Sequence, residues 1–378
     1  MENTRCEVSI GDVCKSISDT YHGNDTDVVL VNTSDVFEGH VLNHETVPNK
    51  NLKGQFKKTF KRNDILYSEI RPANKRFAFI DFDDTSNYIA STKLMVLRPD
   101  IRRILPKYLF AILKSKSMLD ELQHLAETRS GTFPQITFSG ELAPMNISLP
   151  DLSTQNIVVK FLDSIENKIE VNNAINKNLM EQASVLYKAW FEDFILFNGL
   201  CPPMWKQGIL ADIANITSGK RPPVKSAVKT DTAAIPLVGA ASVMGYTSDA
   251  NHTDKILVTG RVGTHGVVQR FESPCWTSDN TLVITSDVYE YTYQILQRID
   301  YHSMNRGSTQ PLITQGDMNK VSVLIPDQET LNEYETLVGQ LMEQYQANIL
   351  ENNKLAEMRD TLLPRLMSGE LDVSELDL

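Results

Sequence analysis

The stretch Arg129-Ser-Gly-Thr-Phe-Pro-Gln-Ile-Thr137 returns later in the chain as Arg306-Gly-Ser-Thr-Gln-Pro-Leu-Ile-Thr314. Four positions, occupied by Thr, Pro, Ile and Thr, match at a constant separation of 177 residues, the last of them Thr137 with Thr314. Shortly afterwards, Pro150-Asp151 matches Pro326-Asp327 at a separation of 176 residues. An internal repeat of this length indicates two structural units of similar build, so the fold is predicted outward from the repeat.

Each copy of the repeat runs into a long helical pattern with matched positions in alternating steps of four and three residues. Such steps are typical of a coiled-coil seam. The first seam is Val158, Leu162, Ile165, Ile169, Asn172, Asn176, Leu179, Ala183, Leu186 and Trp190. The second is Tyr334, Val338, Leu341, Tyr345, Asn348, Asn352, Leu355, Arg359, Leu362 and Leu366. At 1.5 Å per residue, the first helix spans roughly 50 Å.

Two asparagines interrupt each seam at matching places. A seam asparagine needs a polar group opposite it, which fixes register and partner choice. We therefore expect the two helices to meet each other and to run antiparallel, as an internal two-fold axis requires. The alternative is that each helix packs separately on its own domain. The predicted helix-pairing residues are Ile165, Ile169, Asn172, Asn176, Leu179, Leu341, Tyr345, Asn348, Asn352 and Leu355.

The segments before each long helix contain short β-branched and aromatic runs broken by Gly, Pro and Asp, which predict strands. Shorter helices are predicted at 108–125 and 289–299. The fold class is therefore α+β, with two similar globular α/β domains separated by two long antiparallel coiled-coil helices in a pseudo-two-fold repeat. The predicted boundaries are a globular domain at 1–151, a central helix at 152–197, a second globular domain at 198–327, and a C-terminal helix with an acidic tail at 328–378.

The charge of the chain is unevenly distributed. The net charge is -11, yet the window from Lys50 to Arg76 holds nine Lys or Arg against two acids. A basic window either binds a polyanion or forms a solvated face, and composition alone leaves both open. Four cysteines without pairing signatures, no secretory signal and no long apolar run predict a cytoplasmic protein without a membrane span.

This order of motifs is similar to that of the specificity subunits of type I restriction–modification systems, over nearly the whole chain. The motifs that carry the resemblance are Asp64-Ile-Leu-Tyr-Ser-Glu-Ile-Arg-Pro72, the run from Gly307 to Thr314, Leu149-Pro150-Asp151, and Leu362-Leu-Pro-Arg-Leu-Met-Ser-Gly369. A further match, Pro203-Met-Trp205, opens the second unit, whereas the first unit starts without a tryptophan.

The resemblance implies that each globular unit is a target recognition domain that reads one half of a split double-stranded DNA sequence. The paired helices would set the unread gap and help to dock two methyltransferase subunits. Those subunits would bind S-adenosylmethionine, and nuclease subunits driven by ATP and Mg would join to cut unmethylated DNA. This chain itself would need no cofactor.

Candidate DNA-binding residues are those that can reach phosphates or base edges from basic stretches and from the loops before each long helix. In the first unit they are Lys58, Lys61, Arg62, Arg71, Lys75, Arg129, Ser130, Thr132 and Gln135. In the second unit they are Lys220, Arg221, Arg261, Thr264, His265, Arg306, Ser308, Thr309 and Gln310. A surface or turn role is the alternative for any single one of them.

No catalytic or metal site can be assembled from the sequence. Gly219-Lys220 lacks the glycine spacing of a phosphate loop, and no Gly-rich cofactor turn follows a strand. The four cysteines lack metal-ligand spacing, and no glutamate lies between His40 and His44 as in a metalloprotease helix. A non-catalytic role is therefore expected. The competing interpretations are a coiled-coil scaffold joining two protein-binding domains and a self-sufficient methyltransferase.

Overall fold

A computed structural model gives the fold of the chain and describes residues 5–50, 52, 54–129, 134–304 and 312–371. It divides into two compact units. Unit 1 comprises Met1–Val171 with Glu351–Leu378, and unit 2 comprises Asn172–Leu350. Each long helix contributes one part to each unit, whereas the boundaries proposed from the sequence follow the chain linearly and remain a prediction.

In the described residues, the first repeat contains short strands and, before its long helix, three short α-helices. The strands are Cys6–Ser9 (β1), Cys14–Ile17 (β2), Asp27–Val31 (β3), Val36–Phe37 (β4), His40–Val41 (β5), Thr46–Pro48 (β6), Phe56–Lys58 (β7), Ile65–Ser68 (β8), Phe77–Phe79 (β9), Tyr88–Ser91 (β10), Leu94–Pro99 (β11) and Asn146–Leu149 (β12). The helices are Ile10–Val13 (α1), Pro106–Leu113 (α2) and Lys116–Arg129 (α3). The long helix Leu152–Tyr187 (α4) follows.

Among the described residues, the second repeat has nine strands and two short α-helices before its long helix. Its strands are Lys206–Ile209 (β13), Asn215–Ser218 (β14), Ile235–Val238 (β15), Val243–Thr247 (β16), Ile256–Gly260 (β17), Gln269–Phe271 (β18), Trp276–Thr277 (β19), Thr281–Thr285 (β20) and Ser322–Ile325 (β21). Its helices are Tyr289–Arg298 (α5), Gln315–Asn319 (α6) and the long Gln328–Ser368 (α7).

Sheet topology repeats along with the elements. The order β2-β11-β8-β9 in unit 1 corresponds to β14-β20-β17-β18 in unit 2. A parallel pair, β3 with β10, corresponds to the parallel pair β15 with β19. The antiparallel ribbon β1–β12 corresponds to the ribbon β13–β21. The duplication inferred from a few matching residues therefore extends to strand order and direction.

The prediction of one continuous helix at 108–125 is wrong, because two helices, α2 and α3, occupy this region. α2 ends at Leu113, and the Ser115 hydroxyl then accepts a 3.3 Å hydrogen bond from the backbone N–H of Met118 in the first turn of α3. A serine that bonds to the backbone in this way favours a new helix start over helix continuation.

The two long helices begin with equivalent aspartate caps. Asp151 Oδ1 accepts from the Thr154 N–H at 2.9 Å, and Asp327 Oδ1 accepts from the Thr330 N–H at 3.0 Å. These hydrogen bonds satisfy N–H groups that the first helical turn leaves unpaired. They also lower the pKa of both aspartates, so the carboxylates stay ionised. Their negative charge interacts favourably with the positive N-terminal end of the helix dipole.

In unit 1 the beginning of α4 packs against the end of α7. Val158 and Leu162 share a core with Leu363 and Leu366, together with the buried face of α2. Lys168 Nζ lies 3.3 Å from Glu351 Oε2. Earlier residues of α4 thus meet later residues of α7, so the helices are antiparallel here.

An aromatic core in unit 2 joins the end of α4 to the beginning of α7. Phe191 packs edge-on against Tyr291 and Tyr334, with ring centroids 4.7 Å and 5.0 Å away. The Tyr334 hydroxyl donates to the Ala183 carbonyl at 3.4 Å, whereas Asn348, later in α7, bonds to Asn176, earlier in α4, so the two helices are antiparallel within this unit as well. Among the residues the structure describes, no helix combines the length and apolarity that crossing a bilayer needs.

Candidate nucleic-acid interface

In unit 1 the loop between β8 and β9, residues 69–76, is bonded to chain segments on both sides. The Glu69 carbonyl accepts from the Ile136 N–H at 2.8 Å, and the Arg71 N–H donates to the Pro134 carbonyl at 3.2 Å. On the other side, the Ala73 N–H donates to Gln123 Oε1 of α3 at 3.1 Å. These bonds hold the loop as a fixed platform. They also bring Arg71 of the loop close to Gln135 of the segment bonded to it.

Arg71 is an exposed cation of this platform. Its backbone is left-handed, with φ 45°, which L-residues with large side chains rarely adopt. No ion pair or side-chain hydrogen bond is found for its guanidinium within the described part of the chain. Lys75 is also left-handed, with φ 54°, but its Nζ lies 2.6 Å from Glu38 Oε1. Arg71 is thus the better placed of the two to bind an anion.

The remaining basic candidates of unit 1 do not join this platform as free cations. Lys58 Nζ donates to the carbonyls of Thr92 at 3.0 Å and Leu94 at 2.8 Å, and burial lowers its pKa. Lys61 and Arg62 lie in the turn before β8, at the opposite end of that strand from Arg71. Arg62 is paired with Asp83 at 2.7 Å.

Unit 2 gathers its candidates at the corresponding end of its sheet. The Gly219 N–H donates to the Thr281 carbonyl at 3.1 Å, and the Arg261 N–H donates to the Asn280 carbonyl at 2.8 Å. The end of β14, the start of β20 and the end of β17 therefore meet, which brings Lys220 and Arg221 to the same edge as Arg261.

Two close approaches of the backbone make this edge possible. A Cβ at Gly219 would lie 2.0 Å from the Ser278 carbonyl oxygen, and one at Gly260 would lie 1.9 Å from that of Thr264. Only glycine allows such contacts. The turn after β17 leaves Thr264 exposed, while a ring nitrogen of His265, Nδ1, lies 3.1 Å from the Gly260 carbonyl oxygen.

The two loops are equivalent in how they are bonded. In unit 1, Ile70 pairs with Gln135 in an antiparallel bridge, and in unit 2, Val262 pairs with Leu312 in the same way. The Ile313 N–H donates to the Arg261 carbonyl at 3.0 Å, as Ile136 does to Glu69. Each repeat thus attaches the segment before its long helix to the loop that follows a central strand, β8 or β17.

Several predicted residues fall outside this comparison. Ser130, Thr132, Arg306, Ser308, Thr309 and Gln310 lie outside the described residues. Arg129 is the last residue of α3, and its side chain is also outside the description. These residues belong to the segments that lead into the bonded positions Gln135 and Leu312, so they stay predictions.

The sequence interpretation did not single out three lysines in or beside the loops that adjoin these sheet edges. Lys93 precedes β11 beside the loop of unit 1, with its Nζ 3.5 Å from Glu69 Oε2. Lys225 and Lys229 lie in the exposed connection between β14 and β15. Their signal was a local excess of Lys and Arg over acids, which the sequence analysis did not use because it concentrated on the window from Lys50 to Arg76.

The helix-pairing candidates divide between the units. Ile165, Ile169, Asn352 and Leu355 lie in unit 1, and Asn172, Asn176, Leu179, Leu341, Tyr345 and Asn348 lie in unit 2. Within unit 2, Asn348 Nδ2 donates to Asn176 Oδ1 at 2.8 Å, and both side chains are buried. This hydrogen bond joins the two seams between one asparagine of each, and the full set of helix-pairing residues stays a prediction.

Metal-ligating residues do not assemble in the part of the chain that is described, where no group of three or more His, Cys, Asp or Glu could hold an ion.

Comparison with known proteins gives one consistent family. The model of the type I restriction modification DNA specificity domain matches twice, at residues 4–181 and 202–359. The HindI specificity subunit of Haemophilus influenzae is 28% identical over 457 aligned residues, covering 97% of this chain and 99% of that protein. The MjaIX specificity subunit of Methanocaldococcus jannaschii is 26% identical over 338 residues and 76% of each chain.

The fold is similar to that of a solved S subunit from the type I restriction-modification system of M. genitalium. The TM-score is 0.55 at 16% identity, with 97% of this chain and 96% of that chain covered. The predicted duplicated α+β fold with long helices is confirmed by this likeness and by the doubled family match. Since the two matches together cover most of its length, the chain belongs to the type I restriction–modification DNA specificity family.

Proposed function

We propose that this chain is the sequence-reading subunit of a type I restriction–modification complex and that each unit reads one half of a two-part DNA site. The observation that carries the proposal is the repeated sheet edge. In both units a loop after the central strand is bonded to the segment that precedes a long helix. Exposed cations lie at each edge, with Arg71 in unit 1 and Lys220 and Arg221 in unit 2.

These edges have the chemistry that DNA recognition needs. Cations bind phosphates and give affinity and position, whereas arginine, glutamine and similar groups read base edges. A guanidinium can donate two hydrogen bonds to guanine, and a glutamine amide can donate one hydrogen bond to adenine N7 and accept one from its N6 amino group. Arg71 beside Gln135, and Arg261 beside Thr264, supply such groups on bonded platforms rather than on loose loops.

The relatives are named specificity subunits of type I restriction enzymes. By analogy, this chain would dock two methyltransferase subunits and leave catalysis to its partners. S-adenosylmethionine would bind to the methyltransferase subunits, and ATP with Mg would serve nuclease subunits where these are present. Extrusion of the adenine from the base stack would also fall to the methyltransferase.

A coiled-coil scaffold without DNA contact is less favoured, because equivalent sheet edges of both units carry arginines for which no ion-pair partner is found among the described residues. Binding of duplex DNA by the chain together with its methyltransferase partner separates the two. The proposal predicts binding whose affinity falls steeply between low and moderate salt. Absence of binding at low salt, from a correctly assembled complex, would favour the scaffold.

A further inference from the structure

Unit 2 carries an exposed basic loop that starts with the sheet-edge cations Lys220 and Arg221 and continues beyond them to Lys225 and Lys229. Residues 219–230, here called the basic loop, contain Lys220, Arg221, Lys225 and Lys229 and no acid. All four cations are exposed. None forms an ion pair within the described residues, although the whole chain has a net charge of -11.

The basic loop is held to the body of unit 2 at several points. The Lys220 N–H donates to the Thr277 carbonyl at 2.9 Å, and the Trp276 indole N–H donates to the Lys220 carbonyl at 2.7 Å. Further along, Ser226 and Tyr246 exchange backbone hydrogen bonds of 2.9 Å and 2.8 Å. Pro222-Pro223 restricts the backbone between these anchors. The cations are thus presented from a fixed surface, which lowers the entropy cost of binding.

The corresponding connection in unit 1 lacks this charge. Residues 18–26, between β2 and β3, contain Asp19 and Asp25 and no Lys or Arg. Both connections join equivalent strands, so the repeat folds without a basic loop at this place. The whole connection between β14 and β15 holds four cations against one acid, Asp231, and this excess of positive charge, which the repeat does not need in order to fold, is available for an external polyanion.

We propose that the basic loop binds the phosphate backbone of DNA beside the bases read by unit 2. It would give this unit a larger sequence-independent contribution to affinity than unit 1 receives from residues 18–26. This inference rests on the proposed function. DNA is favoured over an acidic protein partner because the loop begins at the sheet edge that also carries Arg261 and His265, so one ligand can contact both.

The test compares two double variants of equal charge change in the complex with methyltransferase subunits. Lys225→Gln with Lys229→Gln removes two cations of the basic loop. The control, Lys206→Gln with Lys320→Gln, also removes two exposed cations. Lys206 is the first residue of β13, and Lys320 lies two residues before β21, so both belong to the β13–β21 ribbon or its immediate flank rather than to the basic loop. Fluorescence anisotropy with a labelled duplex of arbitrary sequence gives the affinity over a series of salt concentrations.

Each phosphate contact contributes about 0.9 to the slope of log affinity against log salt. The loop variant is therefore expected to reduce the slope by roughly 2 and to weaken binding at low salt, whereas the control keeps the slope of the unaltered chain. Equal slopes for all three proteins would overturn the proposal while leaving the proposed function intact. Loss of methyltransferase assembly with an unchanged slope would overturn it in favour of protein docking. Absence of DNA binding by the unaltered complex would instead refute the proposed function itself.

Discussion

Asn176 and Asn348 meet inside unit 2, where Asn348 Nδ2 donates a 2.8 Å hydrogen bond to Asn176 Oδ1 between α4 and α7. Gln344 Nε2 in turn donates to Asn348 Oδ1 at 2.8 Å. Leu179 and Met342 are buried nearby along the same helices. A buried amide pair within an apolar seam disfavours any alignment that would separate the two amides.

Replacing one member of this pair should cost more than replacing both. Asn348→Leu leaves the Asn176 amide buried without its partner, and we expect a loss of about 1–3 kcal/mol in the free energy of unfolding. Asn176→Leu with Asn348→Leu removes both amides, so much of that loss should be recovered. Urea denaturation of the two single variants and the double variant gives the coupling energy. Strict additivity of the single effects would show that the hydrogen bond does not couple the helices.

Arg71→Gly removes the Arg71 side chain but keeps the left-handed backbone at this position. It therefore tests whether the side chain binds DNA without disturbing the fold. Glycine adopts the left-handed backbone of this position without strain, so the thermal midpoint should change little. DNA affinity should fall by roughly tenfold or more, since a good arginine contact contributes about 1–3 kcal/mol. The matched control is Asn63→Gly, another left-handed residue with φ 70° that lies before β8, at the far end of the strand from Arg71. Equal DNA affinity of the two variants would remove Arg71 from the interface.

Lys58 should matter for stability rather than for DNA affinity. Its ammonium satisfies the carbonyls of Thr92 and Leu94, so Lys58→Met leaves two acceptors without this donor. We expect a loss of about 1–3 kcal/mol in the free energy of unfolding, with the salt slope of DNA binding unchanged. Chemical denaturation and a salt titration measure the two effects. A reduced slope with normal stability would return Lys58 to the candidate phosphate contacts.

Glu335 should make the stability of unit 2 depend on pH. Burial raises its pKa to about 7, although the backbone N–H groups of Tyr291 and Glu290 donate to its carboxylate at 2.8 Å and 3.0 Å. The ordinary pKa is 4.5, so between pH 4.5 and 7 the folded state holds a proton that the unfolded chain releases. The contribution of this residue therefore falls as pH rises through that window, by up to about 3 kcal/mol.

Glu335→Gln removes this titration. The difference in unfolding free energy between the variant and the unaltered chain should change from pH 5 to pH 8 in favour of the variant, because only the glutamate loses stability as pH rises. Thermal unfolding followed by circular dichroism at both pH values measures it. A difference that is independent of pH would show that Glu335 keeps its ordinary pKa.

The sequence predicts the fold well where its signals are local or repeated. Matching residues such as Thr137 and Thr314 reveal the duplication, and the seam spacing and the caps at Asp151 and Asp327 define the long helices. The helix break at Ser115 was missed because an amphipathic stripe continues across it, while one side-chain hydrogen bond decides the break.

The site is predicted less completely because side-chain partners depend on tertiary contacts. Lys58 and Arg71 are both basic in the sequence, yet one is bonded to carbonyls distant in sequence and the other is exposed. The pairing of Ile70 with Gln135 joins residues far apart in the chain, and no local pattern indicates it.

Methylome sequencing of a host that expresses this chain with its cognate methyltransferase tests most directly whether each unit reads one half of a two-part DNA site. We predict methylated adenines in a two-part motif with a fixed gap, where Arg71→Ala alters one half of the motif and Arg261→Ala alters only the other. A single uninterrupted methylated site, or variants that change both halves together, would contradict the assignment of one half-site to each unit.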